Sequence, residues 1–145
     1  MAEALTPWVP LEGMDEELFL EAVRCNLGEL QVVLSKGKGS TRALAIHFGV
    51  PLAFRAQPQH VYLSQPWWGT LSAASVYTVE HSEYMSWLKE ASSEVVDQAA
   101  NHYCIITVDG CLDVLTSTTP IAAWRDIASF GALPPNKSLE RTREG

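Results

Sequence analysis

A chain of 145 residues with 47% hydrophobic and 19% charged side chains has globular composition, enough for one domain that buries about two-thirds of its unfolded surface. Its formal net charge of −7 repels phosphate backbones and excludes nucleic acid as the expected partner. No apolar run reaches the roughly 18 residues that cross a bilayer, and the acidic start MAEALTPWVPLEGMDEELF lacks the basic region of a secretory signal; the expected compartment is the cytoplasm, with no membrane partner.

Trp8, between Pro7 and Pro10, is expected to pack a terminal arm onto the body. Asp15, Glu16 and Glu17 place negative charge where a helix dipole favours it. Leu18, Phe19, Ala22, Val23 and Leu27 follow at helical spacing and Gly28 offers a stop, which predicts a first helix over 15–27. Leu30 to Leu34 reads as a strand. VVLSKGKGST follows at 32–41, and its Gly-Lys turn invites comparison with a phosphate loop. That loop needs glycine five positions before Gly37, where Val32 stands, and a helix after it. Residues 43–48 alternate like a strand instead, so a hairpin connection is expected, with Lys36 and Lys38 making a small positive spot.

Leu52, Phe54 and Ala56 resume the alternation after Gly49-Val50-Pro51, which predicts a hairpin between 43–48 and 52–56. Val61–Leu63 and Ser75–Val79 are shorter strand candidates. A second helix is predicted from Ser82, with Tyr84, Trp87, Leu88, Ala91 and Val95 on its apolar stripe. Thr119-Pro120, a hydroxyl cap before proline, predicts a third helix carrying Ile121, Trp124 and Ile127. The strongest signal is YCIITVDGCLDVLT, 103–116, where Asp109-Gly110 joins two β-rich runs. A two-residue turn there would set Ile106 opposite Asp113 and Cys104 opposite Leu115. One face would carry Tyr103, Ile105, Leu112 and Val114, the other Cys104, Ile106, Cys111, Asp113 and Leu115. Both are apolar enough for central strands covered on two sides. From Gly131 the chain turns to Pro, charge and small polar residues, and 132–145 is expected to be a mobile tail.

No catalytic, cofactor-binding or metal-ligating set stands out. The three cysteines, Cys25, Cys104 and Cys111, form no CxxC pair and suit a reducing compartment. Cys104 and Cys111 would lie roughly 13 Å apart in the expected register, too far for a disulfide. A thiol nucleophile built from them with His102, His81 and Asp113 fails on reach, because His102 and Cys104 are neighbours on one strand face without contact. The four histidines lack i,i+4 spacing. Asp113 is the odd polar residue of the hairpin, and a buried carboxylate demands a partner; Arg125, Tyr77 or a loop amide are the expected ones. His102 is expected to bond backbone or cap a preceding helix end. Trp67 and Trp68, in the loop QPWWGT, point opposite ways on an extended chain, so at most one is easily buried; the alternatives are an exposed interface anchor and a lid packed over the sheet, the latter favoured.

The ordering VYTVEHSEYMSWL then HYCIITVDGCLDVL (76–88 and 102–115) resembles small uncharacterised bacterial α+β proteins, some of immunity or cargo-neighbour type. The resemblance covers about 40 residues and implies a fold without an activity. NKSLERTR, in the tail, resembles translated intergenic repeats and implies a bacterial source.

The expected architecture is α+β in a single domain over 1–131: a mostly antiparallel sheet of hairpins packed by two or three helices. The expected function is non-enzymatic binding of another protein, of acidic immunity or inhibitor type, with a homodimer also compatible. The alternative is a small-ligand-binding domain or cofactor-free enzyme. Contact residues for either are Trp67, Trp68, Tyr77, His102 and Asp113, and no cofactor is expected. A pocket where His102 and Asp113 converge would favour the ligand; a flat acidic face beside the tryptophans would favour the protein.

Overall fold

The computed structural model describes residues 2–93 and 99–131. The expected tail and Val95 of the second helix's stripe lie outside the described residues. Strands β1 (Ala4–Pro7), β2 (Phe19–Asn26), β3 (Glu29–Ser35), β4 (Arg42–Gly49), β5 (Ala53–Gln57), β6 (Val76–Glu80), β7 (Asn101–Thr107), β8 (Gly110–Thr116) and β9 (Ile121–Asp126) are joined by one α-helix, α1 (Glu83–Ala91). Every pairing is antiparallel. The strands form two sheets, ordered β1-β6-β7-β8-β5 and β2-β3-β4-β9. Mostly antiparallel sheet with helix is thus as expected, but there are two sheets, and one α-helix among the described residues in place of two or three.

The sheets bury a shared core. Leu30, Val32, Leu34, Leu44, Ile46 and Phe48 from the second sheet meet Val76, Tyr103, Ile105, Leu112 and Val114 from the first. Trp8 joins them edge-on against Tyr103, at 5.5 Å between ring centroids, so the arm does pack onto the body. Strands β7 and β8 are apolar on both faces because the first sheet is covered twice. Its inner face meets the other sheet, and its outer face lies under the segment 58–75 and α1.

The 103–116 hairpin forms with one difference. Thr107 pairs Gly110, Ile106 pairs Cys111 and Cys104 pairs Asp113, so the turn residues are Val108-Asp109. Moving the turn by one position moves each partner by two, and side chains alternate with period two. The two faces therefore keep the expected membership. Thr107 favours the earlier closure: its hydroxyl donates to the Gly110 carbonyl at 2.6 Å and accepts from the Asp109 amide.

Tertiary pairing overrides local signals elsewhere. The predicted first helix is β2, paired with β3. Gly28 does not stop a helix; with Leu27 it forms the two-residue hairpin turn, both at positive φ, as a type I′ connection requires. The predicted third helix is β9, paired along β4, because the open edge of β4 offers a full ladder that a six-residue helix could not match. The predicted hairpin between 43–48 and 52–56 does not form. Gly49 to Leu52 carries the chain from one sheet to the other, where β5 pairs β8. Val61–Leu63 is not a strand; Val61 lies in a 3₁₀ turn at Gln59–Tyr62, and Leu63 follows it. The hairpin loop at 36–41 is as expected, but Lys36 is engaged by Glu16 at 2.8 Å. No described helix is long and apolar enough to cross a membrane.

If the two-sheet core carries the stability, Leu112→Ala should cost about 2–5 kcal/mol. Ile121→Ala, at an edge position 69% exposed, should stay within about 0.5 kcal/mol. Urea unfolding of both variants checks this.

Candidate functional site

The outer face of the first sheet holds a buried charge. Asp113 sits in the middle of β8, directly opposite Arg55 on β5 and Cys104 on β7. His102 is two pairs further along β7, opposite Leu115 and on the same face. Three strands thus bring one carboxylate, one guanidinium and one imidazole together without any loop. The segment after β5 adds Tyr62, which the 3₁₀ turn folds back over the sheet.

Asp113 is 2% exposed, yet each carboxylate oxygen is occupied. His102 Nε2 lies 2.6 Å from Oδ1. Arg55 Nε donates to Oδ2 at 3.0 Å, and the Tyr62 hydroxyl donates to the same oxygen. Burial alone would raise the carboxyl, but the bonds and charges of His102, Tyr62 and Arg55 outweigh it and hold Asp113 near 2. Burial and the same carboxylate push Tyr62 upward, so its phenol keeps its proton. Arg55 is raised by Asp113 against its own partial burial and stacks over the Tyr84 ring, 4.1 Å from the centroid.

An ionised carboxylate can only accept, so His102 Nε2 carries a proton. In the neutral ring Nδ1 is then a bare acceptor, and Ser82 Oγ stands 2.6 Å from it. Ser82 caps α1 and accepts the Met85 amide at 2.9 Å. The chain Ser82–His102–Asp113 thereby ties the helix to the sheet. Tyr84 packs edge-on to His102 and stacks with Trp87 on the next turn.

Beside this network lies a cavity of about 390 Å³, within the usual range for small-molecule sites. Asp113 and His102 contribute to its wall along with Arg55, Gln57, Tyr62, Trp67, Tyr84 and Trp87, and Glu3 and Glu83 stand among the lining residues. Trp67 is 8% exposed, and its Nε1 donor has no partner among the described residues.

Three of the five expected contact residues, Trp67, His102 and Asp113, converge here. Trp68 and Tyr77 do not. They line a separate recess of about 290 Å³ toward the other end of the sheet, where the Tyr77 hydroxyl donates to the Ala74 carbonyl at 2.7 Å. The expected partners of Asp113, namely Arg125, Tyr77 or a loop amide, are corrected to Arg55, Tyr62 and His102. His102 bonds the N-cap side chain at the start of α1, not backbone and not the helix's C-terminal end. The exposed tryptophan is Trp87, at 57%, in place of Trp67 or Trp68. Arg55, Tyr62 and Ser82 were missed as site residues. Ser82 was readable only as the start of the second helix; Arg55 and Tyr62 had no signal, because finding them required the β5–β8 pairing.

Cys104 and Cys111 are buried and unbridged, while Cys25 is exposed. Burial, then the neighbouring Asp113, raises the Cys104 thiol well above its ordinary value, and burial pushes Cys111 up to about 11. Neither is a thiolate nucleophile. Among the described residues no group of three or more His, Cys, Asp or Glu side chains is placed to hold a metal ion. Comparison with protein-family models, curated proteins and solved structures gives no significant match.

The folded carboxylate stays ionised down to about pH 2, whereas the unfolded aspartate takes up its proton near 3.8. Its contribution, about 2 kcal/mol, is therefore complete above about pH 4 and lost as pH falls toward 2. Asp113→Asn should lower stability by about 3 kcal/mol at neutral pH and flatten the acid limb of the stability profile, as measured by urea midpoints across pH.

Proposed function

We propose that this protein binds a small organic molecule in the cavity beside Asp113. The observation that carries the reading is the meeting of Arg55, Tyr62, His102 and Asp113 at a cavity of about 390 Å³. Because the carboxylate is already saturated by three donors, it serves as a rigid floor and not as the group that seizes the ligand. Recognition then falls to the walls. Trp67, Tyr84 and Trp87 offer ring faces, Gln57 and Gln65 offer amides, and the buried Trp67 Nε1–H suits an acceptor on the ligand. A preset wall costs little ordering on binding.

Binding to another protein is the second reading, and one observation favours it. Trp87 and Val61 both line the cavity and are both exposed, an aromatic and an aliphatic group of the kind that anchors interfaces. An acidic inhibitor-type partner remains the form this reading takes.

Melting scans against a panel of nucleosides, sugars, amino acids and aromatic acids separate the two. A ligand at 100-fold excess over its Kd adds about 2.7 kcal/mol, a rise of several degrees. Trp87→Ala, at an exposed wall position, should weaken that ligand about tenfold, as one lost ring contact would. A flat response across the panel, with a partner recovered by wild type and lost by Trp87→Ala, would favour the protein reading instead.

A further inference from the structure

His102 lines two cavities. The second, of about 440 Å³, is lined by Ser82, Ser86, Lys89, Asn101 and His102 among others. Ser82 Oγ, His102 Nδ1, His102 Nε2 and Asp113 Oδ1 form an unbroken series, with 2.6 Å between oxygen and nitrogen at each end. A nucleophile, a base and a group that orients the base stand in that relation. We propose that Ser82 is the nucleophile of an acyl-transfer reaction on small polar carboxylic esters admitted to this second cavity. The reaction lies beyond ligand binding in the first cavity and does not depend on it.

Ser82 stands at a tight strand-to-helix junction, after His81, which takes a positive φ of 56° between β6 and α1. That turn seats the hydroxyl at the helix N-terminus, where dipole and amides favour developing negative charge. The first-turn donors are not equivalent. The Glu83 amide donates to the Glu3 carboxylate and the Met85 amide to Ser82 Oγ itself. Lys89, at the cavity wall, suits an ester with a negatively charged substituent.

The steps balance without a cofactor. Ser82 Oγ attacks the ester carbonyl carbon while its proton passes to His102 Nδ1, and Asp113 holds the resulting imidazolium. The carbon–oxygen bond to the alcohol breaks, and the leaving oxygen takes the proton from Nδ1. Water then attacks the acyl carbon and gives a proton to Nδ1. That proton returns to Ser82 Oγ as the carboxylic acid departs.

The intact chain treated with a fluorophosphonate probe, followed by intact mass and peptide mapping, tests this. A single adduct at Ser82 is expected, with fluoride lost. Ser129→Ala, at an exposed serine outside both cavities, should label as wild type does. His102→Gln should label about 100-fold more slowly or worse, as loss of a general base requires. Asp113→Asn should alter the pH profile of labelling per folded molecule, which a purely structural role would leave unmoved. Ser82→Ala also removes a helix cap; Ser82→Asn retains a cap acceptor and should fold without labelling. An unlabelled wild-type chain, or an adduct mapped to another serine, would overturn the proposal, and neither result bears on binding in the first cavity.

Discussion

One ionised carboxylate in the middle of a sheet organises the outer half of this molecule. Placing Asp113 out of water is costly unless both carboxylate oxygens are hydrogen-bonded. The fold meets that demand with groups from β5, β7 and the turn after β5. His102 then passes the constraint on to Ser82 and so to α1. Helix, covering segment and sheet are thereby fixed to one another by polar bonds, which are directional where hydrophobic contacts are not.

This division of labour explains why the two sides of the first sheet differ. Its inner face joins the second sheet through aliphatic packing, as the buried residues of β3, β4, β7 and β8 show. Its outer face carries smaller apolar clusters around a polar centre. Cavities lie beside that centre because directional bonds hold the covering pieces at set distances and do not let them collapse. The residues that build the candidate site are also those that fix the scaffold.

Much of this was legible from the chain. The alternation in 103–116 gave the central hairpin and its two faces, and face membership survived a shift of the turn because partners moved by two. Ser82 was readable as the start of a helix, and Asp113 as a carboxylate in need of partners. What was not legible was pairing between distant segments. Leu18 to Leu27 satisfies helical spacing, yet β3 offered it a ladder, and Leu27-Gly28 closed that hairpin. Phe54 and its neighbours looked like the return of a hairpin with 43–48. Their true partner, β8, lies some 60 residues on, and only that pairing sets Arg55 against Asp113. The charge on Arg55 is visible in any reading; its destination is a property of the topology.

The account rests on Asp113 remaining charged despite its burial. Carbon-detected NMR titration of the aspartate side-chain carboxyls would measure this directly. The Asp113 resonance should titrate near 2, below the ordinary 3.8 of an aspartate. A midpoint above that ordinary value would mean that burial outweighs His102, Tyr62 and Arg55, and the charged centre described here would not exist.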